Sequence, residues 1–585
     1  MTPQITVLDA GGQYCHLIAR RVRELGIYAD VQPSDVSANQ LHGRKGLIIS
    51  GGPASVYEKG SPVVDPAIYQ LGIPVLGICY GLQLMAHELG GKVTPGIKGE
   101  YGKADLQVLH GEYLLKDFSA LEPVWMSHRD LVSEPPPGFQ LLARTDTCPI
   151  AAIADPERHF YGVQFHPEVV HTLRGQQLLE AYVFDICQAV KDWDPQAQLP
   201  EIERQVREVA GDRNVLFFAS GGVDSTVAFA LCLRALGPSR VHAAYVDTGL
   251  MREGETDFVR TTFEEMARGV FEVVDASHEF LSHLSEVHEP EKKRHLIGEE
   301  FVAVQERILE RGHFLDGQWI LGQGTIYPDT IESGGTQKAE TIKTHHNRVA
   351  GIQKLIEQNR IIEPLRDLYK DEVRTLGRTM GLPDALLDRH PFPGPGLAIR
   401  CLCSDASQKL EKVEDGWIVP IRSVGVQGDS RTYRPVLALN QTATESVIDE
   451  AVHLINRLSA VNRVMAFCGG HSSLDQLEVL KSYIAEERLA RLRRADAIVR
   501  NLSLSSGFEE KVWQFPVVLL PLGTADRPDS IVLRPIHSVD GMTASAVAMP
   551  ADLLQEMTQQ ILAIPGIAAV FYDLTHKPPA TIEWE

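Results

Sequence analysis

Cysteine is scarce in this sequence: eight in 585 residues is far too few for a disulfide framework. Positive charge is in deficit, with 56 Lys and Arg against 77 Asp and Glu, a net charge of −21. A chain whose main business is coating nucleic acid needs the opposite balance, because surplus Lys and Arg must neutralise phosphates. The deficit still leaves room for a local basic pocket around a small anion. No apolar run approaches the roughly 18 residues of a membrane span. Met1–Ala10 has neither the charged start nor the apolar block of a secretory signal. Internal repeats and low-complexity stretches are lacking too. These absences predict a soluble, cytoplasmic protein with neither nucleic acid nor membrane as partner. What is present is globular in character, with 44% apolar and 23% charged residues. The length suits about three or four domains.

Short apolar runs at Ile5–Leu8, Gly46–Ile49, Ile73–Ile78 and Tyr161–Phe165 read as strands. Arg20–Leu25 and Leu82–Leu89 carry helical spacing between them. Such alternation predicts a mostly parallel sheet covered by helices, with ligands at the carboxyl ends of its strands. The pattern fades at Lys191–Pro200, and a second strand–helix system begins at Asn214–Ala219 and continues at Arg240–Asp247. It ends near His390–Gly396, where three prolines and two glycines rule out a regular element. Beyond Ile399, strands are expected at Val517–Leu520, Ser530–Leu533 and Ala569–Leu574, and helices at Val479–Ala497 and Ala551–Ile561. The expected fold is α/β: two doubly wound, mostly parallel domains at 1–192 and 193–398, then a smaller α+β domain at 399–585.

Gly77-Ile78-Cys79-Tyr80-Gly81 joins a buried strand to a helix. Flanking glycines let the backbone turn sharply and leave the thiol exposed at the strand end. The adjoining helix N-terminus favours a thiolate. Ser50-Gly51-Gly52-Pro53 is a second glycine turn after a strand, able to present a backbone donor to an oxyanion. His166-Pro167-Glu168 supplies a strand-end imidazole and a carboxylate to orient it. Taken singly, Cys79 would be a small buried apolar side chain and His166 a satisfied histidine. Their combination with the elbow and the glycine turn points to nucleophilic catalysis. The remaining cysteines, the Cys401-x-Cys403 pair included, read as structural.

Ser220-Gly221-Gly222-Val223-Asp224-Ser225-Thr226 lies between the strand Asn214–Ala219 and an expected helix at Val227–Leu236. Successive N–H groups at a helix start suit an anion, hydroxyls add donors, and Asp224 can assist a magnesium ion. No lysine follows the glycines, so this is not a Walker A loop. An ordinary capped turn would account for Gly and Ser but not for all seven residues.

GICYGLQ at Gly77–Gln83, Gly51-Gly52-Pro53 and QFHPE at Gln164–Glu168 resemble the class I glutamine amidotransferases. The resemblance implies a Cys79–His166–Glu168 triad releasing ammonia from glutamine, with Gly52 and Tyr80 amides as the oxyanion hole. SGGVDST at Ser220–Thr226 resembles the pyrophosphate loop of the ATP pyrophosphatases, which adenylate an oxygen and let a nitrogen displace AMP. YVDTGLMR at Tyr245–Arg252 is similar to their adenine-side segment, and LGQGTIYPDTIES at Leu321–Ser333 to a later nucleotide contact. Magnesium and ATP are thereby implied.

RHPFPGPGLAIR at Arg389–Arg400, SVGVQGD at Ser423–Asp429 and KPPATIEWE at Lys577–Glu585 resemble the glutamine-hydrolysing GMP synthetases over nearly the whole chain. That likeness implies a carbon–nitrogen ligase of purine biosynthesis, aminating xanthosine monophosphate. Arg294, Asp429, Gln514, Lys577 and Glu583 carry over as substrate contacts, and Lys343, in IKTHHN, as a lid residue that meets ATP phosphates. Two of the three charges at Lys292, Lys293 and Arg294 are expected to be solvated. Arg348-Val349-Ala350 replaces a glycine-rich continuation, and the stretch from Phe467 to Gln514 is longer than in the compact branch, leaving monomer and homodimer open. A ligase for another acceptor and a catalytically silent copy are the rivals. KPPATIEWE argues against the first, and intact Cys79, His166 and SGGVDST against the second.

Overall fold

The computed structural model describes residues 2–332, 350–390, 392–427, 430–458, 460–538 and 544–585. Two compact units result, Met1–Leu199 and Pro200–Glu585. Lys343 and Asp429 lie outside the described residues. Among these residues no helix is long and apolar enough to cross a membrane.

The first unit is built on a nine-stranded sheet. Its parallel half runs Ala29–Pro33, Ile5–Asp9, Gly46–Ile49, Val75–Ile78 and Phe160–Val163 in spatial order. The central strands are buried on both faces, which is why they read as unbroken apolar runs. The other half is antiparallel and includes a long hairpin, Lys92–Val108 with Leu121–Glu134, absent from the sequence expectation. Burial alternates along Leu121–Glu134, but its inward positions include His128 and Asp130, so hydropathy alone conceals the strand.

The second unit holds two large sheets around one shared apolar core, to which Leu216 and Val246 contribute from one sheet and Val464 and Val570 from the other; two small sheets of three and two strands accompany them. The five-stranded sheet is wholly parallel, in the order Phe271–Asp275, Val241–Asp247, Asn214–Ala219, Trp319–Gly322, Ile361–Ile362. Chain order reverses at Asn214–Ala219, so the carboxyl end of that strand is the switch point at which such sheets bind ligands. The other large sheet has seven mixed strands, with Arg463–Gly470 central and Ile567–Asp573 beside it. The α/β class and the added α+β module are therefore as the sequence implied.

One helix differs from expectation. Val479 lies in a short strand, and the helix runs from Glu486 to Ser505. Ser482 exchanges both backbone hydrogen bonds with Ser404, at 2.9 Å each, which holds the intervening stretch extended. Glu486 and Glu487 then suit the positive first turn of the helix.

The Lys577–Glu585 segment is anchored by buried charge. Arg463 and Arg534 flank Asp573 at 2.9 and 2.7 Å, all three side chains 0% exposed. The same arginines donate to the Thr581 carbonyl, at 2.9 and 2.8 Å, and Trp584 donates its indole N–H to Asp573. Burial, with Arg534 alongside, lowers Arg463 to about 9. Removing Asp573 would leave two buried cations without a counter-charge, the situation that makes breaking such clusters costly.

Candidate active site

In the first unit, three neighbouring parallel strands end together. Gly46–Ile49 delivers the Ser50–Gly52 turn, Val75–Ile78 delivers Cys79, and Phe160–Val163 leads to His166. Cys79 has φ 53° and ψ −107°, a strained conformation for a residue with a side chain, immediately before the helix Tyr80–Glu88. A side chain on Gly51 would begin 3.1 Å from His166 Cε1 and 3.6 Å from Cys79 Cβ, so it would press on the imidazole. The Cys79 thiol donates to the Ser127 carbonyl at 3.7 Å. Ser127 escapes sequence inspection because its backbone makes the contact.

His166 Nδ1 lies 2.7 Å from Glu168 Oε1, and both residues are buried. Arg21 donates to the Glu168 carbonyl at 3.0 Å and Thr172 to that of His166 at 2.6 Å, which fixes the turn. Burial pulls the imidazole toward neutrality, but Glu168 and the neighbouring Cys79 outweigh it and hold the imidazole well above its ordinary value. The folded value exceeds the unfolded value of about 6.5, so the pair stabilises the fold below that pH. That stabilisation is lost as pH rises through the folded value. Glu168→Gln should therefore lower the His166 titration midpoint in a proton NMR series, and flatten the corresponding pH dependence of unfolding.

In the second unit, the loop Ser220–Thr226 occupies the switch point. Gly221 has φ +72° and packs where a side chain would strike Val259 at 2.6 Å. The helix begins at Val223, four residues before the apolar spacing suggested, and runs to Leu236. Ser220 Oγ lies 3.1 Å from Ser225 Oγ and accepts from the Gly222 N–H at 3.3 Å; Thr226 donates to the Gly222 carbonyl at 2.8 Å. The Val223 and Thr226 side chains are buried, so Val223 can offer a ligand only its backbone.

Two residues beside the loop were given no role from sequence, although Arg389 opens the motif Arg389–Arg400. Lys370 Nζ lies 3.2 Å from Asp224 Oδ2, and Arg389 grips both oxygens of Glu255, at 2.6 and 2.7 Å. Neither partner is near in sequence, so spacing carried no signal. Asp224 Oδ1 is buried without a hydrogen-bond partner among the described residues, a hard oxygen donor that would suit a magnesium ion. Glu100, His128 and Cys148 also have ligand atoms within 4.8 Å of one another. They are engaged with protein already: His128 with Glu100 at 3.1 Å, and Cys148 with the Ile150 carbonyl at 3.3 Å.

Of the substrate residues named from sequence, Gln514 and Lys577 belong to one backbone ladder. Gln514 pairs with Ile536, Ile536 with Ala546, and Ala544 with Lys577. The Glu583 carboxylate is held by both arms of Arg400, at 2.7 and 2.9 Å, and keeps spare acceptor capacity. Arg294 donates to the Glu585 backbone carbonyl. Lys293, however, is 0% exposed and lies 2.7 Å from Glu585 Oε2, which corrects the expectation that two of three neighbouring charges are solvated. The helix Pro290–Arg311 turns Lys293 onto the same buried face as Ile297, Glu300 and Val304, and Lys292 alone stays exposed.

The family model for glutamine amidotransferase class-I matches residues 6–186, and that for the GMP synthase C terminal domain matches residues 503–584. A probable glutamine-hydrolysing GMP synthase of Leptospira interrogans serogroup Icterohaemorrhagiae serovar copenhageni is 43% identical over 100% of this chain and 99% of its own length. The glutamine-hydrolysing GMP synthase of Geobacillus kaustophilus is 39% identical over 99% of both chains. That of Carboxydothermus hydrogenoformans is 39% identical over 100% of both. With relatives of that similarity along its entire length, the chain belongs to the glutamine-hydrolysing GMP synthase family.

Proposed function

We propose that this chain converts xanthosine monophosphate, ATP and glutamine into GMP, AMP, pyrophosphate and glutamate, with the two constellations dividing the work. The observation that carries the first half is the strained elbow at Cys79 facing the His166–Glu168 pair. In this reading Cys79 attacks the glutamine amide carbon after passing its proton to His166. The Gly52 and Tyr80 amides receive the developing oxyanion. His166 returns the proton to the leaving nitrogen, so ammonia departs. Water then cleaves the thioester and releases glutamate. Glu168 keeps Nδ1 protonated and the ring in register.

In the second half, backbone N–H groups of the glycine turn within Ser220–Thr226 hold the leaving pyrophosphate while the purine 2-oxygen takes up the adenylyl group. Magnesium, when bound, offsets the charge that grows on the bridging oxygen. Asp224 would hold it, a reading supported by its orphaned Oδ1, and Lys370 balances the carboxylate charge. Ammonia displaces AMP at the purine carbon. The domain division at 1–192, 193–398 and 399–585 assigns glutaminase, adenylation and substrate-carrying roles in that order. Glutamine, ATP and the nucleotide acceptor are all cytoplasmic metabolites, which supports a cytoplasmic setting, with the chain acting as a monomer or homodimer.

Lys577 is the cation proposed for the substrate phosphate, with Arg294, Gln514 and Glu583 around the rest of the nucleotide. A charge-assisted hydrogen bond is worth about 1.5–3 kcal/mol, so Lys577→Met should raise the Michaelis constant for xanthosine monophosphate roughly 10- to 150-fold. The constant for ATP should move far less, and added salt should weaken wild-type binding more than mutant binding. Steady-state kinetics with ammonia as nitrogen source provide the check. Unchanged dependence on xanthosine monophosphate would remove Lys577 from the site.

A further inference from the structure

The turn after the strand Val241–Asp247 is gripped by one face of the helix Glu486–Ser505. Arg493 donates to the backbone carbonyls of Gly249 and Met251, the latter at 3.0 Å. Three residues on, Asp496 lies 3.4 Å from Arg252, and Arg500, a further turn along, holds Asp496 at 2.9 Å and reaches the Glu253 carbonyl at 3.4 Å. From the other side, the Leu397 N–H donates to the Leu250 carbonyl at 2.7 Å, and Phe392 stacks on Arg252 at 4.6 Å. Inside the turn, Asp247 accepts from the Gly249 N–H at 2.9 Å and from Thr256 at 2.7 Å.

We propose that Arg493 is a positioning residue for ATP, fixing the turn against which the nucleoside half of ATP packs. This rests on reading Tyr245–Arg252 as a nucleotide segment. The turn's strand neighbours the one that ends in the phosphate loop, and the turn runs on into Glu255, whose partner Arg389 also donates to the Gly221 carbonyl of that loop at 3.5 Å. Gly249 and Met251 carbonyls two residues apart need a forked donor to hold both. Guanidinium provides one, whereas an ammonium is a point donor that serves one carbonyl well. With the fork in place the turn is ordered before ATP arrives, and binding no longer has to order it. The clasp comes from a helix within the 467–514 stretch, which the glutaminase and phosphate-loop roles leave without a task.

The test measures pyrophosphate release by the full-length enzyme, with ammonia as nitrogen source so that the glutaminase site plays no part. Arg493→Met should raise the Michaelis constant for ATP about 10-fold. The constant for xanthosine monophosphate and kcat should stay within about twofold. Arg493→Lys, which retains one contact, should fall between mutant and wild type, and it carries the test if the Met variant does not fold. An unchanged ATP constant, or equal rises for both substrates, would overturn the proposal. Asp247→Ala, which loosens the same turn from within, separates this from the reading beneath it. If Asp247→Ala raises the ATP constant and Arg493→Met does not, the clasp alone is wrong. If neither does, the turn is not a nucleotide segment and both ideas fall.

Discussion

Cys79→Ala will abolish glutamine-dependent GMP formation, by at least about 10⁴-fold, while synthesis from added ammonia stays within about twofold of wild type. In the proposed reaction the Cys79 thiol forms the acyl intermediate, so its loss leaves the glutamine amide carbon without its attacking group. The substitution is mild structurally. Alanine retains the β-carbon packed near Gly51, and the strained backbone at position 79 is set by strand and helix on either side. Parallel assays with glutamine and with ammonium salt are sufficient. Loss of both activities in a folded variant would contradict separate sites for ammonia release and ammonia use.

Asp224→Asn will suppress ATP cleavage roughly 10²–10³-fold with either nitrogen source, the scale typical of losing one preorganised electrostatic contact. Asparagine keeps the size of the side chain and removes its charge, so Lys370 loses its partner and the orphaned Oδ1 position loses its attraction for a cation. Glutaminase chemistry at Cys79 should survive, although its link to synthesis will be lost. The assay follows AMP by chromatography. A variant that cleaves ATP normally with ammonia would remove Asp224 from the reacting centre.

The parts of the fold legible in the sequence were those where one rule acts alone. Gly46–Ile49, Asn214–Ala219 and Val517–Leu520 are short, doubly covered strands, and their apolar runs coincide with the observed elements. The elbow and the phosphate loop were legible because sharp turns and close backbone approach demand glycine at fixed offsets. Illegible features depended on distant partners. The hairpin strand Leu121–Glu134 buries His128 and Asp130, and these polar side chains at inward positions hide the alternation; the His128 ring is satisfied by the Asp130 carbonyl and Glu100. Lys293 looks like a solvated charge until Glu585, 292 residues away, is placed against it. Arg493 had no local signal at all, since its acceptors are backbone carbonyls more than 240 residues earlier.

In the proposed reaction the purine oxygen is activated by adenylation and replaced by nitrogen from glutamine. Xanthosine monophosphate labelled with oxygen-18 at the purine 2-position, supplied with ATP and amide-labelled nitrogen-15 glutamine, tests it in one reaction. AMP will carry the oxygen-18, GMP will carry the nitrogen-15 on its 2-amino group, and pyrophosphate will appear in equal amount. Unlabelled AMP, or ADP with inorganic phosphate, would contradict it.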